Sequence, residues 1–326
     1  LSSIIVLSFF SWWKYFISLD WIKSKIKLNS SLFYFVSVTL LFISPVFIPA
    51  IDGPFWYLGK FTSTIWHNST LIAVFPFCLL LVKATINYFG DFESKYLFQI
   101  FGLGLIILLI KPSFMFCYIP TLSLLAVTSE KIERNLSFRL VGISIIFFIL
   151  LNLEKIWIFD LDPMIDKLYS PEQRPGVSIN PLHVHLHFSK EPLFDFLSSF
   201  PSTILFLFFW GKSAFKDQLY RFSFLLLFFA LLVYFLFAET GSREFHGNFY
   251  WQIPIALYLH YLSMLLIVFQ MFFANNKLIN FEFDDIPPLP KGKAEIKFTF
   301  CCLSPSTPNK RCKLFGSAPR PITFKS

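Results

Sequence analysis

Apolar runs long enough to cross a bilayer, separated by shorter segments that hold most of the charge, restrict this chain more than any other feature. They fall at about 1–18, 31–51, 69–85, 96–110, 113–128, 137–153, 197–211, 222–238 and 253–273, close to the ~17–25 residues that match a hydrocarbon core. Backbone N–H and C=O groups in lipid must bond within their own segment, so such runs are expected to be helices. The expected fold is therefore all-α: a polytopic transmembrane helical bundle of about nine spans over residues 1–275. A disordered cytosolic tail is expected over 276–326, where helical periodicity stops.

Composition agrees. Of 326 residues, 55% are hydrophobic and only 15% charged, against about 25% charged in a soluble domain. The 46 Phe suit lipid-facing surface, and equally an AT-rich coding bias, so they carry no function. A net charge of +8 would point a soluble protein towards nucleic acid. Here the cations sit in short loops, so membrane lipids are the expected partners and nucleic acid is not. The five Cys form no metal-binding or disulfide framework.

Loop charge sets an orientation. Lys23, Lys25 and Lys27, then Lys131, Arg134 and Arg139, then Lys212, Lys216 and Arg221 lie in alternate loops and read as cytoplasmic. The opposite loops, 52–68, the Lys111 turn, 154–196 and 239–252, then face outward. In a bacterial inner membrane that means the periplasm, with the C-terminus in the cytoplasm. The chain opens at Leu1 inside an apolar run, with neither a basic leader nor a cleavage site, so further chain is expected before it. The tail segment Pro287, Pro288 and Pro290 reads either as a polyproline docking motif or as plain tail.

Four outward segments offer chemistry. In the first, Trp56, Tyr57 and Trp66 fit an interfacial aromatic belt. His67 can carry a proton or contact phosphate, and Asn68 can either bind substrate or cap the following helix. In the second, Lys111-Pro112-Ser113 puts a cation between two apolar runs, either as a phosphate-binding charge or as a snorkelling lysine. The third, 154–196, opens on Glu154-Lys155-Ile156-Trp157 and holds Asp160, Asp162 and Asp166. Its strict alternation at His183, His185 and His187 would put all three imidazoles on one face of an extended strand. That is a weak candidate for a divalent metal, and the plainer reading is an interface segment with a polar face. The fourth, Glu239 to Gln252, is the densest: Glu239, Arg243, Glu244, His246, Asn248 and Trp251 fall in fourteen positions, with Gly241 and Gly247 between them. Arg243 suits phosphate or carboxylate, His246 a proton relay, and Tyr250 and Trp251 can stack on a sugar. The bland alternative is a helix hairpin with internal ion pairs.

Trp66-His67-Asn68-Ser69-Thr70 running into Ala73-Val74-Phe75-Pro76-Phe77, then Lys111-Pro112-Ser113, then His246-Gly247-Asn248, resemble segments of the GT-C class of polytopic bacterial glycosyltransferases. The resemblance covers residues 60–255 in short pieces. It implies transfer of a sugar from a polyprenyl-phosphate donor on the outward face, the lipid-linked sugar being the group the protein holds. The family's catalytic carboxylate lies in its first outward loop, to which no residue here corresponds. Glu239 is the nearest carboxylate by chemistry, with His246 beside it as proton carrier. His67, Asn68, Lys111, Arg243, Asn248 and Trp251 are the expected substrate-binding residues. Competing readings are a transporter or flippase of a lipid-linked or anionic solute, a related membrane transferase or polymerase, and a non-catalytic membrane protein.

Overall fold

A computed structural model describes residues 2–25, 38–40, 45, 48, 57–129, 133–161, 164, 167, 169–170 and 173–274. The expected span at 31–51 falls largely outside the described residues. So do Trp56, Asp162, Asp166, Lys27, Lys131 and the tail at 276–326. The described chain runs as helix α1 (Ser2–Lys25), α2 (Ser69–Asp91), α3 (Ser94–Ile110), a 3-10 turn (Pro112–Phe114), α4 (Met115–Thr128) and α5 (Arg134–Ile156). A π turn (Trp157–Leu161) extends α5. Strand β1 (Gly176–Ile179), the short helices α6 (His183–Phe188) and α7 (Pro192–Ser199), then α8 (Pro201–Ala214) and α9 (Gln218–Leu236) follow. Strand β2 (Phe237–Thr240), two 3-10 turns and α10 (Gln252–Ala274) complete it.

Among the described residues five helices are long and apolar enough to cross a membrane, and α7 with α8, bent by 59°, makes a sixth if counted as one broken span. The chain is thus a multi-pass helical membrane protein. The described residues do not by themselves supply the nine expected spans, and the one at 31–51 lies largely outside them. α3 has 17 residues and α4 only 14, and at ~1.5 Å per residue neither covers a hydrocarbon core of about 30 Å. The two meet at Lys111, whose extended backbone (φ −163°) breaks the helix ahead of Pro112. Proline at the first position of a new turn gives up no needed donor.

The helix limits follow from local chemistry. Asn68 accepts from the Leu71 N–H at 3.0 Å and starts α2. Asp217 does the same for α9 through the Tyr220 N–H at 2.8 Å. α2 ends on Phe92 in the left-handed region (φ 55°), with its N–H on the Tyr88 carbonyl. α10 is the central element. Buried residues make up 83% of its apolar window, against 22% for α1 and for α5, which leave most of their surface to lipid. α10 packs on α9, and α4 packs on both α9 and α5.

The structure also departs from an all-helical fold. β1 and β2 form a two-stranded antiparallel sheet in which Val177 faces Glu239 and Ile179 faces Phe237. The long loop is carried onto the end of α9, where the Asn180 and Leu182 N–H groups donate to the Leu236 and Phe235 carbonyls at 3.0 and 2.7 Å. Gly241 sits at φ +66°, and a Cβ there would lie 2.5 Å from the Gln173 and Arg174 carbonyl oxygens, so only glycine lets the two loops approach this closely.

Candidate functional site

The short sheet joins segments far apart in sequence at one end of the bundle. Side chains alternate across a strand, so Val177 and Ile179 share a face with their partners Glu239 and Phe237. All four line a cavity of about 740 Å³. Its other walls come from the Lys111 turn, from α4 through Phe116 and Ile119, from the last turns of α5 with the π turn, and from the loop after β2. π turns often lie at functional sites, and Ile158 of this one is part of the wall.

Five residues expected from sequence meet here: Lys111, Glu239, Arg243, Asn248 and Trp251 all line the cavity. Lys111 donates to the Thr70 Oγ at 3.2 Å, and its ammonium stands 5.4 Å from the centre of the Trp251 ring. Burial pulls its pKa down from 10.5 to about 8. Glu239 is 5% exposed, and the Asn248 amide donates to both its oxygens, at 2.9 and 2.8 Å. Burial raises the Glu239 pKa, while Asn248, Arg243 and His246 oppose that rise. The cavity is therefore divided: Lys111, Lys155 and Arg243 give it cations, and Phe148, Leu151, Ile158 and Val233 give it apolar wall.

His67 and Asn68 lie beside this cavity and are not among its lining residues. The His67 ring packs at 4.9 Å from Tyr57 and 6.0 Å from Trp251, supporting the aromatic wall from behind. The Asn68 oxygen is taken up by the helix cap and by the Thr70 hydroxyl at 3.0 Å. This is the capping role, and it reaches the site only through the Lys111–Thr70 bond. Asn68→Ala is therefore expected to cost about 1 kcal/mol of stability and to leave ligand affinity nearly unchanged, as thermal melting and a binding titration on the same preparation would show.

His246 is exposed and lies outside the lining; its link to the site is its charge, felt at Glu239. The histidine trio also differs from expectation. Residues 183–188 are a helix, so His183 and His187 share one face and His185 points elsewhere. His183 bonds Glu244 at 2.6 Å, and His187 stacks on Phe245 at 3.8 Å. His185, 3% exposed, stacks on Phe61 at 5.6 Å, and burial lowers its pKa. Among the described residues no group of three or more His, Cys, Asp or Glu is arranged to hold a metal ion. His183 and His187 fasten the 154–196 loop to the loop after β2, while His185 packs against Phe61 and Phe235.

Sequence reasoning named Glu154 and Lys155 only as the opening of the third outward segment, with no role, and passed over Asn152; all three line the cavity from the end of α5. The available signal was their place at the mouth of a span, where polar groups usually have a use.

Fold and site together define a multi-pass helical membrane protein with a part-apolar, part-cationic cavity at one end. Compared with protein families, curated proteins and solved structures, the chain matches none.

Proposed function

We infer that the chain is an integral membrane glycosyltransferase that takes a sugar from a polyprenyl-phosphate donor held in this cavity. One observation carries the reading. Residues drawn from segments more than a hundred positions apart, Lys111 and the 239–251 loop, form a single cavity with a cationic part and an apolar part. A lipid phosphate has that same division: a dianionic or monoanionic head for Lys111, Arg243 and Lys155, and a hydrocarbon tail for the apolar wall. Trp251, beside the Lys111 ammonium, offers a flat face for a sugar ring. Cations placed where negative charge develops on the leaving phosphate would lower the barrier to its departure. The cationic loops at the other end of the spans support an outward, periplasmic position for the cavity and a cytoplasmic C-terminus, as in a bacterial inner membrane.

The test is transfer from a polyprenyl-phosphate sugar in membranes carrying the wild type, Arg243→Ala or His246→Ala. The wild type should transfer. Arg243→Ala should lose roughly 10²–10³-fold in turnover, the usual effect of removing one group that stabilises developing charge. His246→Ala should keep most of its rate, because that side chain lies outside the cavity. Full activity in Arg243→Ala would sink the site assignment. Absence of transfer with every donor tried, alongside retained binding, would move the protein to the transporter class.

A further inference from the structure

The cavity is lined by two carboxylates whose surroundings differ. Glu239, on β2, is engaged at both oxygens by the Asn248 amide and lies in the field of Arg243. Those two bonds fix the orientation of the carboxylate, although each oxygen keeps a further lone pair. It is placed to hold the loop after β2 in shape. Glu154, in the last turn of α5, lines the same cavity and is half-buried. Among the described residues no hydrogen bond or ion pair engages its carboxylate. On its own wall Leu151, Ile158 and Phe148 are apolar; of the two polar neighbours that also line the cavity, Asn152 donates instead to the Phe148 carbonyl at 2.7 Å, and Lys155 makes no ion pair with Glu154 among the described residues. A carboxylate with both oxygens unengaged at the edge of a cavity is open to an incoming hydroxyl, and geometry is the first requirement of a general base.

We propose that Glu154 is the catalytic base of the transfer, and that Glu239 is a positioning residue for Asn248 and Arg243. The proposal rests on the glycosyl-transfer reading above. In the step, the acceptor hydroxyl gives its proton to a Glu154 oxygen as the acceptor oxygen bonds to the anomeric carbon of the sugar. The bond from that carbon to the donor phosphate oxygen breaks, and its electron pair leaves with the phosphate. Lys111 and Arg243 meet the added negative charge there. Glu154 afterwards returns the proton to water.

The experiment uses the full-length chain in nanodiscs. It measures binding of a radiolabelled polyprenyl-phosphate sugar, and separately the rate of transfer, for wild type, Glu154→Gln, Glu154→Ala and Glu239→Gln. Glu154→Gln should bind the donor within about twofold of wild type and lose on the order of 10²–10⁴-fold in turnover. Added formate, a small carboxylate able to enter the vacated space, should restore part of the rate of Glu154→Ala, which a structural role would not allow. Glu239→Gln should weaken donor binding while keeping measurable turnover. Transfer by Glu154→Gln within about threefold of wild type would overturn the proposal. So would a loss of donor binding in Glu154→Gln equal to its loss of turnover. Absence of transfer in the wild type itself would count against the transfer reading, a separate outcome from either of these.

Discussion

Asp195→Ala is expected to destabilise the protein by about 3 kcal/mol, the low end of what is found when one partner of a buried ion pair is removed. Lys60 is 2% exposed and its ammonium faces the Asp195 carboxylate at 3.8 Å. The same carboxylate accepts the Ser189 hydroxyl, and the Asp195 carbonyl accepts the Ser199 hydroxyl at 2.6 Å. Ser199 in turn receives the Phe61 N–H at 2.9 Å. These bonds tie α7 to the 57–65 segment, so truncating Asp195 takes the Asp195 carboxylate away from the buried Lys60 ammonium and frees the Ser189 hydroxyl. Thermal unfolding in detergent should show a melting temperature lower by several degrees. Asp195→Asn should lose less, because its amide oxygen still accepts from Ser189. Replacing both partners together, Lys60→Met with Asp195→Leu, should recover much of the loss, since apolar side chains of similar size need no counter-charge. An unchanged melting temperature in Asp195→Ala would mean that this pair does not hold the loops down.

The second large effect concerns Lys111. Its pKa is drawn down to about 8 by burial, so the ammonium is charged below that pH and becomes neutral above it. A phosphate ligand prefers the charged form. Above pH 8 the free protein must take up a proton to bind, and affinity should fall about tenfold per pH unit. At pH 7, Lys111→Ala should weaken binding of a polyprenyl phosphate roughly 10–100-fold, the value of a hydrogen bond to a charged group. It should also flatten the alkaline fall. Lys111→Arg, which stays protonated, should bind at pH 9 about as well as at pH 7. A titration of wild type that stays level from pH 7 to 9 would remove Lys111 from the phosphate site.

The spans were legible because the length of an apolar run is a physical measure of the bilayer, and most of the runs read from sequence became helices. Their number is not carried by the described residues alone: the run at 96–110 lies in a helix of only 17 residues, Ser94–Ile110, and the run at 31–51 falls largely outside them. Lys111, Glu239, Arg243, Asn248 and Trp251 could be picked out because charge and amide groups at the edge of apolar runs are costly unless used. That they share one cavity could not, because it depends on β1 and β2. Each is a four-residue strand, and 57 residues separate Ile179 from Phe237 with no turn to announce the pairing. The alternation at His183, His185 and His187 fits strand and helix alike over so short a stretch. The choice was made by Leu182 at φ 62°, with its N–H on the distant Phe235 carbonyl. The role of Glu154 turns on which carboxylate Asn248 engages, a contact between side chains that sequence spacing does not reveal.

The central claim is that a lipid phosphate occupies the cavity between α5, the Lys111 turn and the β1–β2 sheet. Its most direct measurement is photo-crosslinking. A polyprenyl phosphate with a photoreactive group in its tail would be added to the protein in nanodiscs, and the labelled residues identified by mass spectrometry. Labels on cavity residues such as Phe148, Ile158 and Val177, reduced by excess unlabelled lipid phosphate and by Arg243→Ala, are the predicted result. Labels spread over the lipid-facing surfaces of α1 and α8, unchanged by competitor or by Arg243→Ala, would contradict it.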